Sequence, residues 1–240
     1  MQGGDDKLSA AFGSYPLNSL IRSYAGTFGP SVGSCNAFEV IGSSLVLVDP
    51  VQPQYLNAGP QLTINGPGGV KTEAAASTGL YSATLSSAAP FYVAPGNYTV
   101  QNGSGGTNVA AFNWSLTLPP SLIPTNLPAH VNRAQDLTLT WSGGSGFSVA
   151  TIFIYAGVPV TSSTNSYAEL ICNAQASAGQ FTVPSAILNL LPTNGYGSEG
   201  VPGVNIQIAG VPLVTFSGTS GIDAGLFSAF ITSGAVVGIQ

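Results

Sequence analysis

The strongest constraint on this chain is an alternation of apolar and polar residues in short runs that end abruptly at proline or glycine. In "AFNWSLTLPP", Phe112, Trp114, Leu116 and Leu118 fall on one side, and Asn113, Ser115 and Thr117 on the other, before Pro119 and Pro120 stop the run. "DLTLTWSGG" repeats the design, with Leu137, Leu139 and Trp141 opposing Thr138, Thr140 and Ser142. A period of two is the period of an extended strand, whose successive side chains point to opposite faces. Proline lacks the N–H that a ladder needs, and glycine supplies turn conformations, so each run is bounded at about the length of one strand.

Similar runs recur along most of the chain: "AFEVIG", "SSLVLVDP", "PQLTINGPGG", "GLYSATL", "APGNYTVQN", "ATIFIYAGVPV", "YAELICNA", "GQFTVP", "GVNIQIAGVPLVTFSG" and "LFSAFITSGAVVGIQ". Helical spacing is confined to "PLNSLIRSYAGTF", where Leu17, Leu20, Ile21 and Tyr24 share a face, and to the short "SAILNLLP". Many short strands with Gly/Pro turns and almost no helix predict an all-β protein of antiparallel β-sandwiches. The 240 residues suffice for two such units, and the Pro119-Pro120 pair marks a boundary. The expected organisation is a short N-terminal helical or extended segment over 1–32, then two tandem Ig-like sandwiches over 33–120 and 121–240.

Charge narrows the functional classes. Only 5% of residues are charged, with four basic against nine acidic side chains and a net charge of −5, where about 25% charged is usual. Nucleic acid is excluded as a partner, because phosphate binding needs clustered Lys and Arg. Residues 74–132 carry no Asp, Glu, Lys or Arg, yet they are too rich in Gly, Pro, Ser and Asn to hold the ~20 apolar residues of a spanning helix. Solubility must rest on neutral hydrogen-bonding groups. Cys35 and Cys172 match no metal or redox spacing. A disulfide between them would fit an oxidising compartment and add roughly 3–5 kcal/mol across so long a loop. "MQGGDDKLSA" has no signal-peptide core, and the composition points to a mature, secreted or cell-surface form whose leader has been removed.

The scarcest chemistry gathers in "PAHVNRAQDLTLTWSGG", which holds the only histidine, His130, beside Arg133 and Asp136. Any Ser-His-Asp triad would have to use His130, but no nucleophile elbow accompanies it. The three residues read instead as a surface imidazole and an Arg/Asp pair at the start of a strand. The nine acids are scattered rather than paired, and one histidine with two distant cysteines is too few for zinc. No catalytic residue, cofactor or metal site is expected. For saccharides, Tyr55, Tyr98, Tyr155, Tyr167 and Tyr196 are the candidate contact aromatics, since they lie mostly near turns, whereas Trp114 and Trp141 sit on core faces.

The ordered pieces "LNAGPQLTINGP", "GLYSATL", "APGNYTV", "VNRAQDLTLTWSGG", "GQFTVPSAILNLLP" and "GIDAGLFSAF" resemble a family of uncharacterised secreted proteins abundant in Acidobacteria, over roughly residues 33–240. The resemblance implies secretion and a β-rich fold, and it brings no activity. The resulting expectation is a non-catalytic secreted or cell-surface structural or adhesive protein. Its partners would be further copies of itself, joined through strand edges into a filament or surface layer, or other surface proteins. The alternative is an extracellular carbohydrate-binding sandwich with a polysaccharide partner.

Overall fold

A computed structural model describes residues 6–14, 30–41, 54–158, 166–195, 202–210, 212–228 and 231–240. The chain divides into two units, each discontinuous in sequence. The first comprises Met1–Tyr24, Pro50–Pro119 and Pro212–Ala229, and the second Ala25–Asp49, Pro120–Val211 and Phe230–Gln240. The helix expected over "PLNSLIRSYAGTF" lies outside the described residues.

In the first unit, the hairpin strands β5 (Gln61–Gly66) and β6 (Gly69–Ala74) join β8 (Gly96–Gln101) and β9 (Asn113–Leu118) in a four-stranded antiparallel sheet of order β6-β5-β8-β9. A separate pair is formed by β1 (Asp6–Ala11) and β7 (Leu80–Ser86), whose register runs from Asp6–Ser86 to Ala11–Leu80. Among the described residues the unit has two smaller ladders: β2 (Gly13–Ser14) with β4 (Gln54–Tyr55), and β17 (Leu213–Phe216) with β18 (Gly225–Ser228). Alternation places Leu62, Ile64, Tyr98, Val100, Leu116 and Leu118 of the large sheet in the core, with Tyr81 and Leu85 from β7. Phe12 bridges them, its ring 5.7 Å from both Tyr81 and Phe112.

The second unit pairs a three-stranded sheet with a five-stranded one. The smaller consists of β10 (Ile123–Pro124), β12 (Leu137–Ser142) and β15 (Gln180–Val183), in that order. The larger has the order β11-β19-β16-β13-β14, built from β11 (His130–Val131), β19 (Ile231–Ile239), β16 (Val204–Gly210), β13 (Val149–Val158) and β14 (Ser166–Gln175). All its pairings are antiparallel except β11 with β19, which is parallel. Leu139, Trp141 and Val183 from the small sheet share one core with Ile152, Ile154, Leu170, Ile206 and Ile208 from the large sheet. Two inner faces closing on a common core make this a sandwich. Trp141 meets the requirement of a buried indole, because its N–H donates to the Ala176 carbonyl.

Three segments sit differently from a division into 1–32, 33–120 and 121–240. Residues 6–11, within the segment expected to be helical or extended, take the extended form as a strand laddered to β7, with Leu8 and Ala10 half-buried on one face. The strand β3 (Ser34–Ile41) belongs to the second unit. It is tied there by the Cys35–Cys172 disulfide, which spans 137 residues, and by a hydrogen bond from the Gly33 N–H to the Asn173 carbonyl. Residues 212–229, between β16 and β19, belong to the first unit, where the Ala110 N–H donates to the Ser220 carbonyl. Non-local hydrogen bonds and a covalent bond decide these memberships, and local alternation carries no record of them.

Candidate functional site

The His130–Asp136 segment leads from β11 into β12, and its three ionisable groups face three different ways. His130 is exposed, and its ring packs over Gly238 on the neighbouring strand. The Arg133 guanidinium donates to the Leu191 carbonyl at 2.8 Å and the Asn189 carbonyl at 3.3 Å. Asp136 accepts the Ser185 N–H at 2.7 Å, and this bond holds its carboxyl below the usual aspartate range. Asn189 and Leu191 follow, and Ser185 begins, the single helical turn Ser185–Leu188. Arg133 and Asp136 are therefore not a pair at the start of a strand. They grip opposite ends of a helical turn, the cation on terminal carbonyls and the anion on a terminal N–H, each where the backbone dipoles favour it. Among the described residues there is no group of three or more His, Cys, Asp or Glu side chains that could hold a metal.

The candidate aromatics do not form one platform. Tyr98 is buried, which overturns its reading as a glycan contact. Its hydroxyl accepts the Ala94 N–H at 2.7 Å and lies 2.6 Å from the Ala94 carbonyl, so the phenol locks the turn that leads into β8. Burial pushes its pKa up, the bond from the Ala94 N–H lowers it, and the charge of Asp6 raises it. Tyr55 is exposed on β4, opposite Gly13 in the first unit. Tyr196 lies outside the described residues.

Tyr155 and Tyr167 are half-buried on adjacent strands, with Tyr155 opposite Glu169 and Tyr167 opposite Gly157. Both tyrosines and Glu169 project from the face of the five-stranded sheet away from the shared core, because Ile154, Ala156, Ala168 and Leu170 occupy the alternate positions. Asn205, opposite Tyr155 on the other side, donates from Nδ2 to the Tyr155 hydroxyl at 2.9 Å. Two half-buried phenols and a half-buried carboxyl are thus brought to one polar patch, and the buried Asn205 carboxamide holds the Tyr155 hydroxyl. Desolvation pushes the Glu169 carboxyl up from its ordinary value. Glu169 and Asn205 were missing from the sequence-derived candidates. The alternation of "YAELICNA" aligns Tyr167 with Glu169, but the neighbours across the sheet come from register alone.

Beyond this patch the outward rows are hydroxyl-rich. Thr125 pairs with Thr140 at 2.6 Å, Thr138 with Thr182 at 2.8 Å, and Thr63 with Thr72 at 3.1 Å. Asn97, Asn102 and Asn113 stand in N-x-[ST] sequences; of these Asn102 is buried, and its amide bonds the Ala58 and Ala110 carbonyls and the Phe112 N–H. No helix among the described residues is long and apolar enough to cross a membrane. No family model matches the chain, and no curated protein is significantly similar to it.

Proposed function

We propose that this chain is a non-catalytic, secreted or cell-surface structural or adhesive protein, a tandem of Ig-like sandwiches that associates with further copies through strand edges. The observation that carries this reading is the employment of the polar side chains. The Arg133 and Asp136 side chains bind backbone groups of a helical turn, and three pairs of threonine hydroxyls bond one another on the outward sides of the sheets. Such a surface has little charge with which to keep identical strands apart. The Ig-like assignment is supported in the second unit by the β10-β12-β15 and β11-β19-β16-β13-β14 orders, with a first edge strand parallel to the last strand. In the first unit it is supported by Tyr98, whose hydroxyl returns to the backbone four residues upstream, the tyrosine-corner arrangement. The disulfide and the resemblance to secreted proteins support an extracytoplasmic setting.

Sedimentation equilibrium across a wide concentration range, with negative-stain microscopy of the same samples, tests this reading. Concentration-dependent growth in mass is expected. A strictly monomeric species at the highest concentration, with no polymers on the grid, would overturn it. The alternative, a carbohydrate-binding module, is favoured by the patch of Tyr155, Tyr167 and Glu169, since phenol faces and carboxyl groups are chemistry that sugar rings and hydroxyls require. Saturable binding on a glycan array that Tyr167→Ala abolishes would support that alternative.

A further inference from the structure

The Cys35–Cys172 disulfide joins two segments of the second unit, yet the covalent loop it closes takes in the whole of the first unit's central stretch, Pro50–Pro119. The cause is the order of the chain, which visits the second unit at β3 and then returns to the first. Every strand from β4 to β13 lies inside the loop, including all four of the β6-β5-β8-β9 sheet. Outside it lie β1, β2 and every strand from β15 onward. The buried polar groups that lock the enclosed sheet also close within the loop. The Tyr81 hydroxyl donates to the Gly59 carbonyl at 2.6 Å, and the Tyr92 hydroxyl lies within 3.2 Å of both the Ile64 and Gly69 carbonyls. Tyr98 binds Ala94, and the Asn102 carboxamide ties Ala58, Ala110 and Phe112 together. Residues outside the loop reach this unit through the β1–β7 and β2–β4 ladders, the Asp6 carboxylate on the Val93 N–H, and the Ser220 carbonyl on the Ala110 N–H.

We infer that the Cys35–Cys172 bond is a load shunt. Tension along the chain passes from the N-terminal side to Cys35, across the two sulfurs to Cys172, and on toward Gln240. The enclosed sheet of the first unit is left unloaded and folded, although neither cysteine belongs to that unit. This role rests on the proposed surface or adhesive function, which is what would place the chain under tension, whereas the shunt is a property of a single molecule. Under load the segments outside the loop give way. β1 leaves β7, and β16, which carries Ile206 and Ile208 of the second core, leaves β13. The second unit is thus the extensible part, and the first unit's sheet is the part retained. A dithiol removes the shunt: the protein disulfide opens to two thiols as the dithiol is oxidised to its own disulfide, and load then reaches β4 to β13.

Single-molecule force spectroscopy on the full chain, held at residues 1 and 240, tests the shunt. Each wild-type molecule is caught folded and stretched, and dithiothreitol is then introduced. Fully stretched, reduced molecules should be longer than oxidised ones by roughly 450–490 Å, the extended length of a sequence separation of 137. On relaxation, oxidised molecules should regain the native rupture pattern about tenfold or more faster than reduced ones, because the long-range pairings of the enclosed sheet need not form again. The Cys35→Ser, Cys172→Ser variant should match the reduced wild type in both respects without reductant. Equal stretched lengths with and without dithiothreitol would overturn the shunt. So would an oxidised chain that recovers no faster than a reduced one, since the enclosed sheet would then have collapsed with its partners. A wild type that sediments as a monomer yet shows both effects would overturn the self-association reading and leave the shunt standing.

Discussion

Replacing Tyr98 by phenylalanine removes one oxygen atom and leaves the ring in place. In the native structure that oxygen accepts the Ala94 N–H at 2.7 Å and donates to the Ala94 carbonyl at 2.6 Å, at a residue only 6% exposed. Each such bond contributes about 1 kcal/mol net, and the two backbone groups left behind are only partly accessible to water, so the expected loss is about 2 kcal/mol. At about 2–4 °C per kcal/mol for a chain of this size, the transition that includes the first unit should fall by about 4–8 °C. Differential scanning calorimetry at neutral pH measures this shift, with Tyr55→Phe, an exposed phenol, as a control expected to move by less than about 2 °C. The substitution should also reshape the alkaline limb. Burial raises the pKa of Tyr81, and burial with the neighbouring Tyr98 charge raises that of Tyr92. Their stabilisation is complete below the unfolded phenol pKa of about 10 and is lost as pH rises through the higher folded values. A Tyr98→Phe protein that melts within a degree of wild type would refute the assignment of its hydroxyl as the lock on this turn.

Cys35→Ser with Cys172→Ser should lower stability in guanidinium by about 5 kcal/mol on the loop-entropy model for a sequence separation of 137, and reduction of the wild type should reproduce the shift. Asp136→Asn should destabilise the protein at neutral pH, because the carboxylate holds the Ser185 N–H with its pKa depressed. The wild-type advantage should be present above the unfolded aspartate pKa and vanish as pH falls through the folded value, which paired denaturation curves would reveal. Glu169→Gln should act in the opposite sense. Desolvation raises the folded pKa, so the wild type loses stability as pH rises through it. The glutamine variant should therefore be the more stable protein at neutral pH and gain nothing below the unfolded glutamate pKa, as measured by the same curves.

Much of the architecture was legible in one dimension because alternation encodes the face of a strand. "FNWSLTL" and "LTLTWS" predict the buried Phe112, Leu116, Leu118, Leu139 and Trp141, and Pro119-Pro120 stands where the chain passes between units. Scarcity of charge made a nucleic-acid partner unexpected without reference to any fold. What alternation does not encode is which strand lies beside which. The laddering of β1 to β7, the seating of β3 in the second unit and that of residues 212–229 in the first depend on hydrogen bonds between distant residues. The same holds for side-chain roles. Tyr98 looked like a surface aromatic near a turn until its hydroxyl met Ala94. Arg133 and Asp136 looked like partners until each met a different end of the Ser185–Leu188 turn. Glu169, Tyr155 and Asn205 became neighbours only through the register of three strands. Local sequence determined which face each residue takes, because the pleat has a fixed period of two. Tertiary structure alone decided what waits on that face, because strand pairing and covalent closure join residues that no local pattern connects.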